Sequence, residues 1–233
     1  MILGMMQPYF FPYLGYWQLM NMADEYIIYD DVNFIKNGWI HRNRIKINGE
    51  PAFFNLGLKK ASQNKRINEI ELNMDDAKRE ALINKLQCNY AKAPYFKEVM
   101  VLFKEIIYCP ETNLAAFLAN LTRKVAAYMG IQTPIYSITE LGLDHNLTAE
   151  DRIYEICHQR GCDTYINAIG GTELYDKEEF KKEGITLGFL RMDSDITYPQ
   201  GKGQFLPGLS ILDVLMYNSP EEVQELLKRY TLE

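Results

Sequence analysis

The chain has 233 residues, 47% of them hydrophobic, and a formal net charge of −6. That is enough to bury one sizeable core, as one domain or one domain with a subdomain. The acidic balance argues against nucleic acid as the main partner, and no apolar run approaches the roughly 20 residues of a membrane span. The opening residues carry no basic n-region or cleavage site and run straight into an apolar segment. Cys88, Cys109, Cys157 and Cys162 show neither a C-x-x-C pair nor a disulfide framework. The expectation is a cytoplasmic protein with reduced thiols. His41, His145 and His158 are too scattered to offer metal-ligand spacing.

In chain order, Ile2 to Met6 is an apolar run of strand length. Pro8 and Pro12 interrupt regular structure, each fixing φ and removing an N–H. From Gly15 the spacing of Tyr16, Leu19, Met20 and Ala23 predicts a helix, and Tyr26 to Tyr29 is a second strand ending in Asp30-Asp31. This is a βαβ unit with an aromatic first loop. In parallel sheets ligands sit beyond the carboxyl ends of the strands. Gln7, Asp30 and Asp31 are polar residues ending apolar strands, so they are expected at one such edge. Tyr9, Phe10, Phe11 and Tyr16 read equally as core or as a wall on which a flat ligand stacks.

The chain then turns basic. Between Lys36 and Arg66 eight basic residues face a single acid, Glu50, and phosphate is the usual ligand of such a field. Arg42 and Arg44 share one face of a strand whose other face carries Ile45 and Ile47. Asn48-Gly49 predicts a hairpin turn, with Pro51 to Leu58 as the return strand. Two guanidiniums on that hairpin suit a diphosphate. Lys60, Lys65 and Arg66 lie on a polar loop able to close over it. His41 is the histidine nearest these groups and the best general-base candidate.

From Asp75 to Met129 three helices are predicted without an intervening strand, punctuated by Pro94, Pro110 and the cap Asn113, and grouped as a helical cap. Alternation then resumes. Strands are expected at 134–138, 164–169 and 185–191, with a helix capped by Thr148, a Gly170-Gly171 turn, and helices at 176–183, from Ser210 and from Pro220. His145 falls in a loop. The fold expected is α/β, a mostly parallel Rossmann-like sheet with a helical insertion at 75–129.

Several segments carry a resemblance. Gln7-Pro-Tyr-Phe-Phe-Pro-Tyr-Leu-Gly-Tyr-Trp17, Ala23 to Val32 and Trp39-Ile-His-Arg-Asn43-Arg44 resemble the WbqC-like family. So do Ala93-Pro-Tyr-Phe96, Tyr198-Pro-Gln200 and Ser210-Ile-Leu-Asp213. The resemblance covers nearly the whole chain in order. It implies a role in O-antigen or capsule polysaccharide biosynthesis, with glycine transfer suggested for the family. The first unit is also laid out like that of nucleotidylyltransferases and pantoate ligases, in which His-x-Gly-His follows the first strand. At Tyr13-Leu14-Gly15-Tyr16 the glycine is kept and both histidines are missing, so histidine-assisted adenylyl transfer is not expected.

The expectation is therefore a transferase or ligase taking a phosphate-bearing donor and a sugar acceptor. Arg42, Asn43, Arg44, Lys60, Lys65 and Arg66, with Tyr9 and Tyr16, would bind substrate. Gln7, Asp30 and Asp31 would orient the acceptor, and His41 would act as base. A nucleotide is the cofactor left open. The alternatives are a non-catalytic module that binds a nucleotide sugar or a partner from the same biosynthesis, and a Mg²⁺-dependent transferase using Asp30 and Asp31.

Overall fold

A computed structural model gives the fold and describes residues 1–142, 147 and 149–233. His145 and the expected cap Thr148 lie outside the described residues. In chain order the elements are β1 (Ile2–Met6), α1 (Leu14–Met22), β2 (Glu25–Ile28), β3 (Arg42–Ile47), β4 (Glu50–Asn55), β5 (Leu58–Lys59), β6 (Glu71–Leu72), α2 (Asp76–Tyr90), α3 (Phe96–Ile107) and α4 (Leu114–Tyr128). There follow β7 (Ile135–Ser137), α5 (Ile138–Leu141), α6 (Ala149–Arg160), β8 (Thr164–Ala168), α7 (Lys177–Lys182), β9 (Thr186–Met192), α8 (Ile211–Tyr217), α9 (Pro220–Leu226) and β10 (Tyr230–Leu232).

Six strands form the central sheet in the order β10-β9-β8-β1-β2-β7. All neighbours are parallel except β9 and β10. Alternation along the strands builds a core on each face. Leu3, Met5, Ile27, Tyr165, Leu187 and Phe189 pack against α6 and α7 through Ile153, Ile156, Cys157 and Phe180. Tyr26, Ile28, Ile166 and Leu190 face the larger core, shared by α1, the helices α2 to α4, α8 and α9. Gly4 lets α1 close on the sheet, because a Cβ there would lie 3.1 Å from the Tyr26 ring and 3.2 Å from Ala23. Among the described residues no helix is long and apolar enough to cross a membrane.

Most predicted elements form, and their caps act as expected. Asp75 accepts from the Lys78 N–H, Asn113 from Ala116 and Ser210 from Leu212. Asn48, at φ 52°, and Gly49, at φ 87°, make the β3–β4 turn. The return strand differs from expectation, ending at Asn55 rather than Leu58. At Gly57 the chain passes so close to Asn73 that a Cβ would lie 2.4 Å from its carbonyl oxygen. Leu58–Lys59 then pairs with Glu71–Leu72 as a separate ribbon. The antiparallel edge strand β10 has no counterpart in the sequence reading.

Candidate functional site

Counted along the chain, the central strands run β1, β2 and β7 to one side and β8 and β9 to the other, so the order reverses between β1 and β8. Connections leave such a point in opposite directions and open a crevice beyond the strand ends. A cleft of about 560 Å³ lies there. Its floor is Met5 and Met6 from β1 and Gln7 just beyond it, with Asn167 and Ala168 from β8 and the Gly170-Gly171 turn. Its walls are Tyr9, Tyr13, Tyr29, Trp39 and Tyr175, with Ile35 and Leu174 at the rim. The volume is that of a small-molecule site. A second hollow of about 210 Å³ shares Tyr9, Tyr13 and Trp39 and extends the cleft to Pro12, Asn43, Arg44 and Gly208.

The aromatic wall is set by the loop after β1. Phe11 sits at φ 46°, a left-handed conformation that is costly for a bulky residue. Surrounding hydrogen bonds hold it. Asn43 Nδ2 donates to the carbonyls of Phe10 (3.1 Å) and Phe11 (2.8 Å), and Ser210 Oγ donates to the Phe11 carbonyl at 2.8 Å. The Phe10 N–H donates to the Trp39 carbonyl at 3.0 Å, and that of Ile211 to Pro12 at 2.9 Å. The β3 strand and the start of α8 thus clamp the loop. Burial raises the pKa of both Tyr9 and Tyr13, so their hydroxyls stay protonated at neutral pH.

Two polar groups in this cleft stand out. Gln7 Oε1 is buried without a hydrogen-bond partner, whereas the Asn167 side chain is engaged with Tyr165 Oη and the Ala168 N–H. Arg44 Nε is likewise buried and unpartnered. The Arg44 guanidinium lies 5.3 Å over Trp39, and its only hydrogen bond among the described residues is a long one, 3.5 Å from Nη2 to the Gly208 carbonyl. A buried acceptor and a buried cationic donor left open suit a ligand that bears a donor at one end and an anion at the other.

The remaining candidates lie elsewhere. Arg42 shares the Arg44 face, but Nε and Nη2 bond the carbonyls of Gly38 (3.2 Å) and Asn37 (2.6 Å), and the guanidinium stacks on Phe53. Tyr16 is fully buried, its ring centroid 5.7 Å from that of Tyr9, behind the wall rather than on it. Asp30 turns to β7 and α5, accepting from Ser137 Oγ, Thr139 Oγ1 (2.8 Å) and Thr139 N (3.3 Å). It lines a separate polar cleft of about 600 Å³ with Asn68, Asn120, Arg123 and Glu140. Asp31 is buried against Arg152 at 2.5 Å, and Arg152 also lies 5.2 Å over the Tyr29 ring.

The two carboxylates therefore diverge. Among the described residues no group of three His, Cys, Asp or Glu is placed to hold a metal ion. His41 packs its ring 5.3 Å from Phe34, with Nδ1 buried and unpartnered. Burial, with Arg42 adjacent, lowers its pKa below 6.5. Lys60 is exposed at φ 47°. Lys65 and Arg66 run beside Asn33 and Phe34, one residue from the cleft residues Val32 and Ile35.

Sequence reasoning passed over Tyr13, Tyr29, Trp39, Asn167 and Gly208 as site residues. Asn167 had a signal, since it is an amide near the end of an otherwise apolar strand. Gly208 had none, because only the long-range docking of its loop on β3 brings it to Arg44.

A family model, the WbqC-like protein family, matches residues 7–225. The chain is also similar to an uncharacterized protein, Rv1507c, of Mycobacterium tuberculosis (strain ATCC 25618 / H37Rv). The two are 28% identical over 228 residues, which cover 97% of this chain and 96% of the relative. No solved structure is a significant match.

Proposed function

We propose, for a chain that belongs to the WbqC-like protein family, a transferase or ligase of surface-polysaccharide biosynthesis. Its donor, an activated small molecule with a flat ring and a phosphate, occupies the cleft between the ends of β1 and β8. The observation that carries this reading is the pair of unpartnered buried groups, Gln7 Oε1 and Arg44 Nε, in one aromatic-walled cleft. The tyrosines and Trp39 stack the ring, Gln7 accepts a hydrogen bond from it, and Arg44 holds the phosphate by its planar fork.

The strand order supports a Rossmann-like, nucleotide-type reading of the sheet, since in such sheets the ligand sits where the order reverses. In this reading α2 to α4 form a cap, and the acceptor is a sugar. Lys60, Lys65 and Arg66 are the loop that closes, and Asn43 keeps the cleft in shape. A specific observation favours a second reading, a binding module without turnover. The base candidate His41 and the carboxylates Asp30 and Asp31, expected to orient the acceptor, are all directed away from the cleft lining.

Calorimetric titration with nucleotide sugars, ATP and acyl donors tests both readings, and a discontinuous assay for product separates them. One donor class is expected to saturate the site. Arg44→Lys keeps the charge, loses the fork and weakens that donor roughly tenfold. Gln7→Leu also weakens the donor, while stability stays level or rises because an unsatisfied buried carbonyl is removed. Donor affinity unchanged in both variants, with melting temperatures intact, sinks the assignment.

A further inference from the structure

The basic face of β3 extends beyond Arg44 to Lys46, and there it borders a different cleft of about 610 Å³. This cleft lies between the β3–β4 turn (Asn48, Gly49), the end of α2 (Cys88 to Tyr90), the turn at Lys92 and the loop at Gln200 to Lys202. Its lining carries the ammoniums of Lys46, Lys92 and Lys202 and no carboxylate, in a chain whose net charge is −6. We infer that this cleft is a second binding site, for a phosphate-type oxyanion, separate from the donor cleft.

Lys46 is the strongest argument. It is only 8% exposed, and its Nζ donates to two backbone carbonyls, Gln204 at 2.7 Å and Gln200 at 3.3 Å. An ammonium has three N–H groups, so one remains. Among the described residues no carboxylate pairs with it within 4.0 Å. Buried charges are costly unless paired.

Asp213 is fully buried and feels the Lys46 charge through space, but forms no direct ion pair with it. Its two oxygens accept from Tyr90 and Tyr198, each at 2.8 Å, and the Tyr90 hydroxyl in turn takes the Lys46 backbone N–H at 3.1 Å. The carboxylate is thus spent on clamping the 198–208 loop. The positive charge of Lys46 faces a hollow in which Lys92 and Lys202 are exposed and free to converge on an anion.

The backbone of the loop fits this role. Gly201 (φ +70°) and Gly203 (φ +89°) curl it about Lys202. A Cβ on Gly201 would lie 2.7 Å from the Tyr217 hydroxyl, so only glycine lets the loop lie this close to α8. Asn48 and Asn89 add amides at the rim. The same loop separates the two basic sites, with Gly208 against Arg44 and the Gln200 and Gln204 carbonyls against Lys46.

The test is calorimetry with inorganic pyrophosphate and with inorganic phosphate, at low and high salt. Wild type is compared with a Lys92→Ala/Lys202→Ala double variant, with Lys46→Met and with Arg44→Lys. The inference expects saturable pyrophosphate binding that weakens with salt, and a roughly tenfold loss in the double variant, whose melting temperature stays put because both side chains are exposed. Lys46→Met abolishes binding if it folds, and the double variant decides the matter if it does not. Arg44→Lys leaves this binding unchanged while weakening the donor, so the two sites fail independently. Absence of binding to wild type, equal binding by the double variant, or loss of pyrophosphate binding in Arg44→Lys alone each overturns the inference.

Discussion

At the ends of β2 and β7 lies the polar cleft of Asp30; at the ends of β1 and β8, the aromatic cleft of Gln7. Both sit on the carboxyl edge of one sheet, and both take a polar residue from just beyond an apolar strand. In the first, the carboxylate accepts from Ser137 and twice from Thr139, so its negative charge is met by local donors. In the second, the amide oxygen meets nothing. The difference separates a polar group that ties strands and turns together from one kept open. Position at a strand end is shared by the two residues, so hydrogen-bond satisfaction is what distinguishes them.

The largest test of this comparison falls on the wall between the clefts, the run Tyr29-Asp30-Asp31. Arg152→Ala breaks the buried Arg152–Asp31 pair and is expected to cost about 3–5 kcal/mol, read by urea denaturation. A loss under 1 kcal/mol would show that the pair is not the support its burial implies. Asp30→Ala strands the Ser137 and Thr139 donors and is expected to cost about 1–3 kcal/mol in the same measurement. Donor affinity at the aromatic cleft should stay unchanged, and a variant that keeps its stability but loses donor binding would invert the comparison.

The smallest effect concerns His41, whose pKa burial and Arg42 lower from 6.5. With the folded value below the unfolded one, the unfolded chain takes up the proton first as pH falls. This residue's contribution is therefore complete above about pH 6.5 and is lost as pH drops through the window beneath it. A melting-temperature profile over that window should be flatter for His41→Gln than for wild type. Parallel profiles would mean that His41 is not held neutral.

Local chemistry carried most of the elements. The apolar run of β1, the caps Asp75, Asn113 and Ser210, the Asn48-Gly49 turn and the prolines that punctuate the helices each act within a few residues. Sequence is therefore enough to place them. The edge strand β10 was not visible in this way, because three residues at a chain end acquire strand geometry only by pairing with β9.

The sequence by itself determined the alternating α/β order, the aromatic loop after β1, and the candidacy of Gln7 and of the β3 arginines. Tertiary structure decided which candidates face a common cavity. Arg42 and Arg44 are two residues apart on one strand face, yet one is spent on the Asn37 and Gly38 carbonyls and the other opens toward Gly208. Asp30 and Asp31 are neighbours, yet they meet Ser137 and Arg152, more than 100 residues away in the chain. Periodicity fixes the side of an element on which a residue lies. Its partner depends on packing between segments remote in sequence, and that partner determines whether a polar group is satisfied or left for a ligand.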